Sequence, residues 1–254
     1  MRAPLRPWIV ASAASLAALG AAAQQAPVDR VAVSAEHSSL DKGLAPWTEV
    51  SAHWLREWER HRVLDAGVAR TRRFGQEDTQ VLLSYATPLS AALSGAVEAT
   101  ASGTHRVLPR HALGGQLQYE FAPGWLVLGA LKRTQYDSSR VDAGKLQLEH
   151  YFGDFSASVA WSPVRSGGTS ASGKELRGAW YYREHSSVGF IASRGDEATL
   201  VAPGVVSLAP VRAFALLGKH ELRPGLALTW SLHRVRQGSF YTREGASAGV
   251  QVSF

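Results

Sequence analysis

Gly245-Ala246-Ser247-Ala248-Gly249-Val250-Gln251-Val252-Ser253-Phe254 is the stretch from which the rest of the chain is read. Ala246, Ala248, Val250, Val252 and Phe254 fall on one face of an extended segment. Gly245, Ser247, Gly249, Gln251 and Ser253 fall on the other. Period two sustained over ten residues specifies a strand with one apolar face, because successive side chains of a pleated strand point to opposite sides. The pattern recurs upstream. Leu113, Leu117, Tyr119 and Phe121 alternate with Gly114, Gln116, Gln118 and Glu120, and Phe155, Ala157, Val159 and Trp161 with Ser156, Ser158, Ala160 and Ser162. Leu176, Gly178, Trp180 and Tyr182 alternate with Glu175, Arg177, Ala179, Tyr181 and Arg183, and Leu226, Leu228, Trp230 and Leu232 with Ala227, Thr229, Ser231 and His233.

Two architectures alternate in this way. A soluble sandwich turns its apolar face inward, whereas a transmembrane barrel turns it to lipid and keeps polar residues inside. The connections separate the two. Tight ones at Thr87-Pro88, Ala122-Pro123-Gly124, Gly153-Asp154, His185-Ser186 and Arg223-Pro224-Gly225 alternate with longer polar stretches. The longer ones are 40–45, 103–109, 135–144, 163–173, 194–204 and 237–244. Short periplasmic turns and longer extracellular loops produce that alternation in an outer-membrane barrel. Strand starts near Arg30, Trp47, Arg62, Asp78, Ala91, Leu108, Trp125, Arg140, Phe155, Lys174, Ser187, Ala209, Leu226 and Phe240 give an all-β, antiparallel up-and-down barrel of about 14 strands, with 12 as the alternative. Residues 50–73 also fit an amphipathic helix, and Pro210 interrupts 205–221. Trp47, Trp54, Trp58, Trp125, Tyr136, Tyr151, Phe152, Trp161, Tyr181 and Tyr182 are candidates for interfacial aromatic girdles.

The first residues read as an address. Arg2 and Arg6 precede an apolar run from Trp8 to Leu19, and Ala21-Ala22-Ala23 offers a cleavage site. These are the parts of a secretory signal peptide over 1–23, leaving a barrel domain over 24–254 and predicting export to a Gram-negative outer membrane. Net charge falls from +6 to +4 without Arg2 and Arg6, and the remaining basic residues are scattered, so no dense basic face points to nucleic acid. Cysteine is absent, so stability comes from buried area or from lipid rather than from disulfides.

The run Arg73-Phe74-Gly75-Gln76-Glu77-Asp78-Thr79-Gln80 resembles a segment that follows an early strand in the YaiO family of outer-membrane barrels. Gly124-Trp125-Leu126, Tyr151-Phe152-Gly153 and the terminal Phe254 are similar to that family as well. The resemblance implies an outer-membrane location and a barrel fold, with an association with exported glycans in some members. It carries no catalytic residue onto this sequence. Val250, Val252 and Phe254 resemble the terminal signal that barrel-assembly machinery reads.

Within the motif, Arg73, Glu77, Asp78 and Gln80 could contact a ligand or an anionic lipopolysaccharide group. The alternative is that Asp78 caps the turn through backbone amides while Gly75 supplies a positive φ. By parity Glu49, Asp65, Glu120, Lys145, Glu149, Glu175, Arg177, Arg183 and His233 face the lumen. Spread along the wall, they would line a selective pore; paired across it, as Arg177 with Glu120 or Glu149, they would plug it. Arg106, Arg133, Arg140, Lys174, Arg234 and Arg236 are upper-rim candidates for lipopolysaccharide contact. His37-Ser38-Ser39 and His185-Ser186-Ser187 have the His-x-Ser spacing of a lipid hydrolase, yet no Asn is present to orient the His. Dispersed histidines predict no metal site, and nothing calls for a cofactor. The readings are a narrow conduit for small solutes or glycan, a closed barrel acting through its extracellular loops and, third, a lipid-modifying enzyme.

Overall fold

The computed structural model describes residues 27–59 and 62–254. The signal peptide expected over 1–23 lies outside them. Fourteen strands follow in order: β1 (Val28–Leu40), β2 (Trp47–Glu59), β3 (Arg62–Arg73), β4 (Gln76–Pro88), β5 (Leu93–Ser102), β6 (His111–Ala122), β7 (Trp125–Gln135), β8 (Arg140–Phe152), β9 (Phe155–Ser166), β10 (Thr169–Arg183), β11 (Ser186–Ala202), β12 (Val205–Arg223), β13 (Leu226–Gln237) and β14 (Tyr241–Ser253). Each pairs antiparallel with its sequence neighbours, and β1 pairs with β14, so the sheet is a closed barrel of 14 strands. Closure leaves no strand edge unpaired within a membrane, where every backbone amide must be satisfied internally. At the seam Asp29 and Phe254 exchange both backbone hydrogen bonds at 2.9 Å. Residues 50–73, which also fit a helix by sequence, form β2 and β3 instead.

The alternation sorts the side chains. Val33, Val81, Leu117, Leu131, Leu146, Val159, Phe214, Leu232 and Val250 are exposed on the outward face, while Ser51, Gln116, Gln147, Ser158 and Ser193 are buried inside. Near the end where β1 begins and β14 ends, an aromatic ribbon runs around the outside from β6 to β12. Phe121, Trp125, His150, Phe152, Phe155, Trp180, Tyr182 and His220 follow one another with ring centroids 3.9–6.5 Å apart. That end is the periplasmic one, since its connections are the short ones.

The far side departs from the loop lengths expected. The stretches 163–173, 194–204 and 237–244 are mostly strand: β9 and β10 meet at Gly167-Gly168, β11 and β12 at Pro203-Gly204, and only 238–240 separate β13 from β14. Above the membrane the hairpins keep pairing with themselves, since the ladder satisfies their amides as well as water would. β11 and β12 are the longest strands, 17 and 19 residues. Pro210 is accommodated because the β12–β13 ladder begins only at Val211; on that side Pro210 uses its carbonyl alone, which accepts the Gly238 amide at 2.6 Å, so its missing N–H breaks no ladder bond.

Candidate functional site

The tip of the β11–β12 hairpin folds over the extracellular mouth. Thr199 and Leu200 are 0% and 1% exposed. Leu200 packs in one cluster with Val107 and Leu108 of the β5–β6 connection, against Phe74 and Val206. Ala198 joins Tyr136, Val141 and Val164 in a second cluster, against which Val206 also packs. The Tyr241 hydroxyl, on β14, donates to the Leu200 carbonyl at 2.7 Å. One hairpin thus touches groups from β3–β4, β5–β6, β7–β8, β9 and β14, on opposite sides of the ring, and caps the mouth. Burial pushes the Tyr136 hydroxyl above its ordinary range, against the opposing charge of Arg73, so the phenol in the cap stays neutral.

Asp78 fixes the other half of the cap. Its Oδ2 accepts the amides of Val107 and Leu108 at 2.7 and 2.8 Å, holding the 103–110 connection inward. Asp78 therefore binds a neighbouring loop's amides, not those of its own turn. That turn is formed by Phe74 (φ 51°) and Gly75 (φ 75°), both left-handed, as a two-residue hairpin of this hand requires. The rest of the motif divides by face. Arg73 is buried inside and Gln80 bonds to Ser102 at 3.3 Å, while Glu77 pairs outside with Arg70 at 2.7 Å and Thr79 is exposed. A lipopolysaccharide contact by Arg73 or Asp78 is thereby corrected, since both sit under the cap.

Beneath the cap Trp47 is held between two guanidiniums, Arg73 at 4.8 Å and Arg243 at 5.0 Å from its ring centre. Phe74 and Tyr241 meet its edges at 5.3 and 5.6 Å. Trp47 and Tyr136, expected in a girdle, face inward here because Trp47 opens β2 and Tyr136 follows β7 at the extracellular end, where apolar surface is supplied by the cap and not by lipid. Arg243 pairs with Glu36 at 3.1 Å, and Arg73 lies 3.9 Å from Glu49, which accepts the Thr71 hydroxyl at 2.8 Å. Ser38 Oγ meets His233 Nε2 at 3.2 Å across β14, where Gly245 leaves the room: a Cβ at 245 would collide with both groups.

Lower in the barrel the charges pair along the wall. Lys132 of β7 reaches Glu98 of β5 at 2.6 Å across Gly114. Lys145 of β8 reaches Glu175 of β10 at 2.9 Å across Ala160. Arg177 donates to the same Glu175 at 2.7 Å, which corrects the expected partnership with Glu120 or Glu149: the nearest carboxylate lies two residues along its own strand. Glu120 instead accepts the Gly124 amide at 2.9 Å in the β6–β7 turn, and Glu149 accepts Gln147 at 3.3 Å. Asp65 meets His53 at 2.9 Å, and Arg30 meets Glu57 at 2.7 Å. Arg183 is exposed at the periplasmic end of β10. Glu36, Glu98, Lys132 and Arg243 belong to this inner set and escaped the sequence reading, although the same period-two parity in β1, β5, β7 and β14 contains them.

The serine–histidine pairs do not assemble a hydrolytic site. His37 and Ser39 are exposed, and Ser39 Oγ donates to the Glu244 carbonyl at 3.4 Å. His185 is exposed at a periplasmic turn, 3.8 Å from Glu221, and among the described residues no hydrogen bond joins it to Ser187; Ser186 Oγ accepts the Glu221 amide. Beside Ser38, Glu36 approaches His233 at the same Nε2 that meets the hydroxyl, 3.8 Å away, whereas an orienting carboxylate belongs on the other ring nitrogen. Among the described residues no group of three or more metal-binding side chains gathers.

A closed antiparallel barrel with an apolar outer band, a polar inner wall and short turns at one end defines an outer-membrane β-barrel. The chain belongs to the YaiO membrane β-barrel family, whose domain matches residues 28–198. Solved barrels share the fold at low identity. The CymD monoaromatic hydrocarbon channel is 12% identical with a TM-score of 0.57, over 91% of this chain and 89% of that one. Omp33 of Acinetobacter baumannii is 9% identical with a TM-score of 0.55, over 91% and 100%. A COG4313 outer-membrane channel from Pseudomonas putida F1 is 10% identical with a TM-score of 0.55, over 91% and 96%. No curated protein matches the chain.

Proposed function

We propose that the barrel is a gated conduit for small polar solutes, closed at its extracellular mouth by the β11–β12 tip. The observation that carries this reading is the direction of the inner ion pairs. Glu98–Lys132, Lys145–Glu175, Arg177–Glu175, Arg30–Glu57 and His53–Asp65 each join one strand, neighbouring strands or next-but-one strands. Charges paired along a wall line a polar path, whereas pairs spanning the lumen would fill it. The closure is supplied by apolar packing of a single hairpin tip, the kind of contact that opens without dismantling the barrel ladder.

The experiment is planar-bilayer conductance of the refolded barrel and of a variant in which 199–206 is replaced by a short Gly-Ser turn. The reading expects rare or brief openings from the intact chain and frequent, larger ones from the variant. A folded, tip-deleted barrel that carries no current contradicts it and leaves a closed barrel acting through its loops.

A further inference from the structure

Four cations stand in one lateral row on the outward face near the extracellular end. The register places Lys174 of β10 opposite Arg194 of β11, Arg194 opposite Arg212 of β12, and Arg212 opposite Arg236 of β13. All four are exposed. Like charges directly opposed on adjacent strands repel one another. Three other outward cations of this rim are each neutralised by an acid: Arg70 by Glu77 at 2.7 Å, Arg133 by Asp142 at 2.6 Å, Arg234 by Glu244 at 3.2 Å. No ion pair joins any of the four to an acid among the described residues. The row spans three strand spacings, about 14 Å, which suits an extended, multiply charged anion better than a single ion.

Its height and surroundings say what that anion is. Lys174 lies eight residues along β10 from Tyr182 of the periplasmic aromatic ribbon. At about 3.3 Å per residue and a tilt near 40°, that is roughly 20 Å of height, close to the apolar band of such barrels. The row therefore marks the opposite interface, where the headgroups of the outer leaflet sit. Directly below, the face turns apolar, with an open groove of about 270 Å³ lined by Phe214, Leu216 and Leu232 and rimmed by Arg234 and Glu244. An anionic head above an apolar groove is the chemistry of a phosphorylated lipid. We propose that Lys174, Arg194, Arg212 and Arg236 bind the phosphates of one outer-leaflet glycolipid and that the groove below holds the start of an acyl chain. This site is independent of whether the lumen conducts.

Native mass spectrometry of the purified, detergent-solubilised barrel tests it, with bis-phosphoryl lipid A, monophosphoryl lipid A, phosphatidylethanolamine and inorganic pyrophosphate as probes. The proposal expects one retained bis-phosphoryl lipid A, monophosphoryl lipid A weaker, and phosphatidylethanolamine weaker still. In the variant Lys174→Gln/Arg194→Gln/Arg212→Gln/Arg236→Gln retention falls at least about tenfold, while Arg70→Gln/Arg133→Gln, whose cations are already paired, changes little. Heat-modifiable gel mobility verifies that each variant is a folded barrel. If the quadruple variant does not fold, Arg194→Gln/Arg212→Gln takes its place, with the same direction expected. Equal binding by the row variant and the intact barrel, or an equal loss in the paired-cation variant, overturns the site. Pyrophosphate competing as strongly as the lipid overturns the lipid assignment and makes the row a free-phosphate site.

Discussion

Asp78 carries more structural consequence than any other residue of the motif at 73–80. One carboxylate oxygen takes two amides of a loop about 30 positions away. Hydrogen bonds to a charged acceptor are worth about 1.5–3 kcal/mol each, and their loss leaves two donors to find water. Asp78→Ala should destabilise the 103–110 connection by about 2–4 kcal/mol. Limited trypsin digestion in detergent should then cleave at Arg106 where the native barrel resists. Unchanged resistance would show that the cap holds the loop without the carboxylate. Gly245 has the opposite kind of role, an absence of atoms that lets Ser38 and His233 meet. Gly245→Val should cost about 1–3 kcal/mol of barrel stability from overpacking, read by guanidinium unfolding; an unaltered midpoint would mean that the wall yields freely there. The sequence marks Gly75 as a turn residue through its chemistry. It does not mark Gly245, because a glycine on the inner face of a strand has no signal until the side chains of β1 and β13 are placed beside it.

At the scale of the element, the β11–β12 hairpin separates what was legible from what was not. Period-two alternation located the strands, since a lipid-facing band imposes it on every one of them. Thr199-Leu200-Val201-Ala202 sits above that band, so nothing periodic constrains it, and it reads as loop. Its burial depends on Val107, Leu108 and Tyr241, residues 41 or more positions away that only the closed ring brings near. The charged pairs were hidden for the same reason: Lys145 of β8 meets Glu175 of β10 diagonally past β9, a fact of register and not of sequence spacing. Truncating a buried leucine costs about 2–5 kcal/mol, all of it here falling on the cap and none on the ladder. Leu200→Ala should therefore raise the open fraction at least tenfold. The cysteine-free chain offers a clean readout: Ser38→Cys, buried beneath the cap, should react with a membrane-impermeant thiol reagent at least about tenfold faster when Leu200 is truncated. Equal rates in the two backgrounds would mean that the tip does not control access.

On the scale of the whole molecule, one sequence rule produces two surfaces. Outward, alternation yields an apolar band bounded by aromatics at one end and by an unpaired row of cations at the other. Inward, it yields a wall on which acids and bases neutralise each other locally. At the extracellular mouth Trp47, Phe74, Tyr136, Leu200 and Tyr241 supply the apolar contacts of the cap, and the proposed gate lies there. If the wall pairs shape the path, removing one member should tune the current without abolishing it. Glu175→Gln removes the negative charge that Lys145 and Arg177 share and makes that stretch of wall more positive, so it should shift ion preference toward anions in the open state, measured as a reversal-potential shift under a salt gradient. No shift would place the ions' path away from that wall.

A reversible lock tests whether the β11–β12 tip gates the proposed conduit. Leu200→Cys/Val107→Cys joins the two halves of the cap at their shared cluster, in a chain with no competing thiol. Single-channel recordings would be made with the pair bridged by a short, cleavable bifunctional thiol reagent, and again after the bridge is reduced. A gating tip gives silence while bridged and openings on reduction, with the barrel folded throughout. The same current in both states would contradict it.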